Sequence, residues 1–282
     1  MKTIFVLLIS IFIVYSISAQ EKINKTFSFH HPESVAEYGD FYFVTDVGNK
    51  LEPMAVDGDG RIWKLKKDGE EADSMFVTGL NAPKGTAIIG SVLYVADIDK
   101  IKGFDVNTGD KKLEVDLSST GAKFLNDLTV KDENTLYVSS TDLNKIYEIS
   151  LSPAPGFSEL KVDGDLTGPN GLFFVPSENK LYFNGYGKDG KPNGRIGYVD
   201  LNMEDHPVKY ITDLEGYFDG LAVEGDILLT TDWAKSAILK ITISSGKSET
   251  VNVDALKGPA DFLLSGKDII QPEMMIGNLY RF

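Results

Sequence analysis

Six short segments of the chain share one pattern: Pro32-Glu-Ser-Val35, Pro83-Lys-Gly-Thr86, Leu125-Asn-Asp-Leu128, Pro169-Asn-Gly-Leu172, Phe218-Asp-Gly-Leu221 and Pro259-Ala-Asp-Phe262. Their second positions read Glu33, Lys84, Asn126, Asn170, Asp219 and Ala260. Two carboxylates and two carboxamides converging on one point would neutralise and coordinate a single divalent cation through oxygen, with room left for water or substrate. Ca²⁺, Mg²⁺, Mn²⁺ and Zn²⁺ all stay open as its identity. Taken alone, Asn170-Gly171 and Asp219-Gly220 read as turn dipeptides; it is their shared phase that favours a cation site. Lys84 has two readings. It contacts an anionic or carbonyl group of a substrate, or it pairs with Glu33 or Asp219 and takes the cation's place.

Other chemistries have less behind them. The chain has no Cys and three His, which removes thiolate metal sites, disulfides and thiol nucleophiles and makes an all-His metal site improbable. It carries no nucleophile-elbow G-x-S-x-G, no phosphate loop and no dinucleotide-binding glycine pattern. The His30-His31 pair sits near Glu33 at a strand end and reads as structural. Asp46, Asp97, Asp142 and Asp232 read as turn caps, with Asp232-Trp233 a possible pocket wall. The Met274-Met275 pair reads as packing between sheets.

Something must hold the six turns in a ring, and the repeats supply it. Strand-like runs recur at Phe41–Asp46, Leu93–Asp97, Leu136–Ser140, Leu181–Asn184, Ile227–Asp232 and Ile269–Ile270. A second set follows at Arg61–Leu65, Lys102–Asp105, Lys145–Ile149, Arg195–Val199, Ile238–Ile241 and Asn278–Phe282. A third closes the units at Ser74–Val77, Lys112–Val115, Glu159–Val162, Val208–Ile211 and Glu249–Val253, its sixth copy displaced to the N-terminus as Lys25–Phe29. Turn dipeptides separate the runs, among them Asp57-Gly58, Asp59-Gly60, Asp68-Gly69, Thr108-Gly109, Asp189-Gly190 and Ser245-Gly246. Short strands repeating about every 40 to 50 residues with no helical period predict an all-β, six-bladed β-propeller with four strands per blade. Closure by an N-terminal strand that completes the last blade would protect the ring's free edges.

The chain of 282 residues carries 28 Lys and Arg against 42 Asp and Glu, a net charge of −14, which argues against a nucleic-acid partner. Lys2, the apolar run from Ile4 to Val14 and the small residues Ser16, Ser18 and Ala19 predict a secretory signal peptide over 1–19, cut after Ala19, with residues 20–282 as one propeller domain. The apolar stretch is shorter than a membrane span needs, so an exported, periplasmic or extracellular protein without a membrane anchor is expected. One sequon, Asn24-Lys25-Thr26, would matter only in a eukaryotic host. A monomer acting on a small molecule fits this reading.

The same residues carry a resemblance. Glu33, the Leu125-Asn-Asp turn, the Pro169-Asn-Gly-Leu turn and the Phe218-Asp-Gly-Leu-Ala-Val turn resemble the regucalcin/gluconolactonase family of six-bladed propellers across the whole mature chain, with paraoxonase-like and strictosidine-synthase-like propellers more distant. The resemblance implies a divalent metal on Glu33, Asn170 and Asp219 with Asn126 beside it, and Asp219 as acid/base in lactone hydrolysis. Two departures stand out. Glu33 is followed by Ser34-Val35 rather than the family's Gly-Pro, and Phe124 occupies the place where sugar-lactone members carry Arg. Phe124 and Lys84 would then join Asn126 in contacting a substrate less polar than a sugar lactone. The rival reading is a noncatalytic propeller whose channel mouth binds a ligand or a protein.

Overall fold

The computed structural model describes residues 20–282; the leader expected over 1–19 lies outside the described residues. After β1 (Glu21–Lys22), blade 1 comprises β2 (Pro32–Tyr38), β3 (Phe41–Asp46), β4 (Gly60–Lys66) and β5 (Glu71–Leu80). Blade 2 comprises β6 (Pro83–Ile89), β7 (Val92–Asp97), β8 (Lys100–Asp105) and β9 (Lys111–Asp116). Blade 3 holds β10 (Leu125–Asp132), β11 (Thr135–Ser140), β12 (Lys145–Ser150) and β13 (Gly156–Glu159). Blade 4 holds β14 (Pro169–Val175), β15 (Lys180–Gly185), β16 (Ile196–Asp200) and β17 (Val208–Tyr210). Blade 5 is β18 (Phe218–Glu224), β19 (Ile227–Asp232), β20 (Ala237–Thr242) and β21 (Lys247–Thr250), and blade 6 is β22 (Leu263–Ser265), β23 (Asp268–Glu273) and β24 (Asn278–Arg281) completed by β1. Each sheet is antiparallel and has four strands, so the chain is an all-β, six-bladed propeller.

Hydrophobic burial explains the ring. The second strands are sandwiched between neighbouring sheets, so they read as continuous apolar runs, and Phe43, Val44, Leu93, Val95, Leu136 and Val138 are fully buried. The cores lie between blades: Ala36, Phe43, Ile62 and Leu80 of blade 1 meet Leu93, Val95 and Phe104 of blade 2. At about 1.5–3 kcal/mol for each large apolar side chain removed from water, these contacts hold one blade to the next. The outer strands face solvent, and all four residues of β21 are exposed.

Closure differs in register from the sequence expectation. Lys25–Phe29 is not the closing strand; Glu21 and Lys22 pair with Arg281 and Tyr280. The reason lies in Asn24. Its side-chain amide donates to Gly277 O at 3.0 Å and its Oδ1 accepts from Leu279 N at 2.8 Å, ending the ladder with a side chain. The chain then turns toward blade 1, where Phe27 stacks on Trp63 at 5.3 Å and Phe29 meets the same ring edge-on at 5.1 Å. Asn24 is fully buried, so the sequon is not open to a glycan in the folded chain. The outer strand of blade 3 is also shifted, running over Gly156–Glu159 rather than Glu159–Val162. Gly58, Gly69, Gly109, Gly190 and Gly246 adopt the positive φ of turn glycines, whereas Gly60 instead opens β4.

Candidate functional site

The second residue of each inner strand in blades 1 to 5 sits at a β-bulge. Pairing slips between Pro32 and Val35 in β2, between Pro83 and Thr86 in β6, and at the matching places in β10, β14 and β18. A bulge breaks the ladder and re-aims the side chain it carries, which is how Glu33, Lys84, Asn126, Asn170 and Asp219 come to line the channel mouth. Each is the second residue of its strand.

A repeated side-chain bridge repairs the interrupted ladder in blades 1, 3, 4 and 5. Thr45 Oγ1 accepts from Ser34 N in its own blade and donates to Lys84 O in the next. Ser139 Oγ likewise links Asp127 N to Asn170 O, and Thr231 Oγ1 links Gly220 N to Ala260 O. Asn184 does the same with both ends of its amide, accepting from Gly171 N and donating to Asp219 O. Each bridge therefore fixes, from the preceding blade, the backbone carbonyl of the next ring position: Lys84, Asn170, Asp219 or Ala260. Blade 2 carries Ala96 at this place, which has no group to do so.

Close approach of the next blade dictates the glycines. Neither Gly171 nor Gly220 has positive φ, so Asn170-Gly171 and Asp219-Gly220 are strand residues and not turn dipeptides. A Cβ on Gly171 would collide with Asp219 O, and one on Gly220 would lie 2.6 Å from the Phe262 ring.

The mouth is a cavity of about 140 Å³. Glu33, Lys84, Asn126, Asn170 and Asp219 form its polar part, and Val47, Leu51, Pro53, Phe124, Tyr186, Trp233 and Met274 its apolar walls. The five polar residues singled out from the sequence, and Phe124 with them, are thus brought together. Three buried oxygens there have no hydrogen-bond partner: Glu33 Oε2, Asn126 Oδ1 and Asp219 Oδ1. Buried acceptors left unpaired are costly, and a group of them in one cavity calls for a cation or an ordered donor. Asn126 Nδ2 donates to Thr141 Oγ1 at 3.3 Å, which turns its carbonyl oxygen the other way. Thr141 in turn donates to Pro169 O beside Asn170. The donor set is all oxygen, as a hard cation requires. Among the described residues no group of three or more His, Asp or Glu side chains is arranged for a metal, so the fit rests on two carboxylates joined by carboxamides.

Electrostatics reinforce that need. Burial pushes the Asp219 carboxyl up to about 8, with the charge of Asp261 adding to the shift and Lys84 opposing it. Burial also holds Glu33 well above the usual carboxylate range, and Asp219 and Asp261 push it further. Asp261, deeper in the channel, is raised by burial to about 6, offset by hydrogen bonds from Ser34 and the Phe262 backbone. Asp127 is raised by burial and by Asp261 while the Leu172 and Leu128 N–H groups oppose the shift; its carboxylate ties blade 3 to blade 4. Lys84 is 2% exposed, and burial lowers its ammonium to about 8. Its Nζ donates to Ala82 O at 2.9 Å and lies 4.8 Å from the Phe124 ring centre. Among the described residues it makes no ion pair within 4.0 Å, so the pairing with Glu33 or Asp219 is not formed.

Residues outside the pattern complete the picture. Tyr186 and Met274 directly follow the second strands of their blades, the same repeat position that Val47 and Trp233 hold in theirs, so a shared phase, as for the inner-strand residues, is the signal that could have marked these four walls as well. Met274 packs between blades, buried with Val47, Ala82, Ile98 and Ala260, and also lines the cavity, whereas Met275 is 57% exposed and takes no part in that packing. Trp233 is a cavity wall, as its sequence neighbourhood suggested. Asp46 is more than a turn cap: it accepts from the backbone of His30 and His31 and from the Trp63 ring, anchoring the approach to β2. Asp97 does the same for Asn81 and Ala82. His31 Nδ1 bonds Met274 O at 2.9 Å, a scaffold contact.

No family model matches the chain, and no curated protein matches it. Solved structures do. Virginiamycin B lyase from Staphylococcus aureus is 16% identical, with 93% of this chain and 98% of that one covered at a TM-score of 0.62. A streptogramin B lyase is 14% identical over 93% and 96% of the two chains at 0.60, and a chain of a nidogen/laminin complex is 14% identical over 86% and 85% at 0.60. At these identities the likeness is one of fold.

Proposed function

We propose that the chain is a metal-dependent hydrolase of a lactone or related ester, with one divalent cation held by Glu33, Asn170 and Asp219 and by Asn126 beside them. The observation that carries this is the set of unpaired buried oxygens, Glu33 Oε2, Asn126 Oδ1 and Asp219 Oδ1, facing one cavity. A bound Ca²⁺, Mg²⁺, Mn²⁺ or Zn²⁺ would supply Lewis-acid polarisation of the substrate carbonyl and a lowered pKa for water. Asp219 takes the proton from the attacking water and returns it to the leaving oxygen. Phe124, Tyr186 and Trp233 exclude solvent and offer apolar surface, so simple γ- and δ-lactones should turn over better than sugar lactones. That a similar propeller is an antibiotic lyase supports an enzymatic use of the shape and says nothing of this reaction. Export by the leader and action as a monomer belong to the same reading.

The test is an assay of aldonolactones, simple lactones and aryl esters with each cation added and after chelation. Turnover that needs the cation supports the proposal, and none on any substrate removes it. The noncatalytic binding reading is favoured by one observation, the positive charge of Lys84 buried beside both carboxylates.

A further inference from the structure

We propose that the Lys84 ammonium meets the substrate's carbonyl oxygen as negative charge builds on it, a role that rests on the hydrolytic reading of this cavity. Lys84 holds the blade 2 place in the same ring that supplies Glu33, Asn126, Asn170 and Asp219. Of its three N–H donors the structure commits one, to Ala82 O. The Phe124 ring supports the charge without neutralising it. Burying an ammonium with no ion pair is costly, and the fold retains it where it faces open space. With both carboxylates ionised against a divalent cation, Lys84 leaves the cavity one positive charge in excess; proton transfer from water to Asp219 keeps that total while the carbonyl oxygen becomes an anion, so the ammonium gains a negative partner as the adduct forms.

The step is conservative in atoms and electrons. Water adds its oxygen to the carbonyl carbon and gives a proton to Asp219, while the carbonyl π pair moves onto oxygen and accepts a hydrogen bond from Lys84. Collapse restores the C=O bond and breaks the bond to the ring oxygen, which takes the proton back from Asp219. One water and one lactone become one hydroxy acid.

The experiment titrates Ca²⁺ and then phenylphosphonate, a tetrahedral anion with an apolar ring, into wild type, Lys84→Met and Lys84→Gln, with melting curves to show that each is folded. Loss of the like charge should tighten Ca²⁺ binding roughly tenfold in both variants. Phosphonate binding should weaken and kcat should fall by roughly 10² to 10³ with KM little changed, less in Lys84→Gln because its amide still donates. Phosphonate affinity and kcat unchanged in folded Lys84→Met would overturn the role. Wild type that binds phosphonate without any cation, while the variants do not, keeps Lys84 and removes the cation. Wild type that binds neither removes both. Should the variants fail to fold, nitrogen-15 lysine labelling of wild type decides the matter: phosphonate should shift the signal of one slowly exchanging ammonium, and an unshifted signal overturns the proposal.

Discussion

Glu33, Asn126, Asn170 and Asp219 are legible in the sequence because phase within a repeat is a property of sequence, and equal phase in a propeller means equal height in the channel. What each side chain does there is not legible. Whether Lys84 pairs with a carboxylate turns on distances that no pattern records, whereas Tyr186 and Met274 share with Val47 and Trp233 the position just after a second strand and differ too much in side-chain type for that phase to stand out. For Asp219 the expected outcomes separate binding from chemistry. Asp219→Asn should keep most of the cation affinity, since an amide oxygen still coordinates, yet lose turnover by roughly 10² to 10⁴. Asp219→Ala should lose both. Calorimetry beside steady-state kinetics reads the two effects, and undiminished turnover in Asp219→Asn takes it out of the mechanism. The raised carboxyl also has a sign in stability. Asp219 titrates near 8 in the folded chain and near 3.9 unfolded, so between these values the folded state holds the extra proton and cation-free stability falls as pH rises. Urea unfolding of chelated protein from pH 5 to 8 should show a steeper decline for wild type than for Asp219→Asn; equal slopes would mean that Asp219 is not displaced upward.

Along an inner strand, a bulge opens the ladder at the functional residue and a polar side chain from the second strand closes it again. Thr45, Ser139, Asn184 and Thr231 carry that work. In the sequence they are ordinary members of strand runs, because alternation tells which face a residue occupies and not which backbone group it bonds. The blade count, strand count and inner-strand starts follow from repetition, whereas the closing strand does not: Phe27 and Phe29 alternate as a strand would but spend that alternation on the Trp63 ring. Ser139→Ala leaves Asp127 N–H and Asn170 C=O without their side-chain partner, so it should cost about 1–3 kcal/mol and weaken cation binding by loosening Asn170. Urea titration and calorimetry check both; a neutral change would show the bridge to be incidental.

The whole ring is closed without a disulfide, by the two residues of β1, the Asn24 side chain and the backbone N–H groups of Ile23 and Phe29, which donate to Leu279 O and Gly277 O. Deleting residues 20–24 removes β1 and the Asn24 hook, exposes the edge of β24 and should lower Tm and promote aggregation, with Asn24→Ala intermediate. A deletion that melts like the parent would place closure elsewhere, in the aromatic contacts of Phe27 and Phe29. Burial raises both carboxyls of the cation site, Asp219 up to about 8 and Glu33 well above the usual carboxylate range, so a cation binding there at neutral pH must displace a proton. The most direct measurement is therefore calorimetric titration of Ca²⁺ and Mn²⁺ into chelated protein at pH 7, repeated in buffers of different ionisation heat. The expected result is one cation per chain with protons released on binding, abolished by Asp219→Ala and weakened by Glu33→Gln. Binding that survives Asp219→Ala unchanged, or no binding of any divalent cation at millimolar concentration, would contradict the cation site.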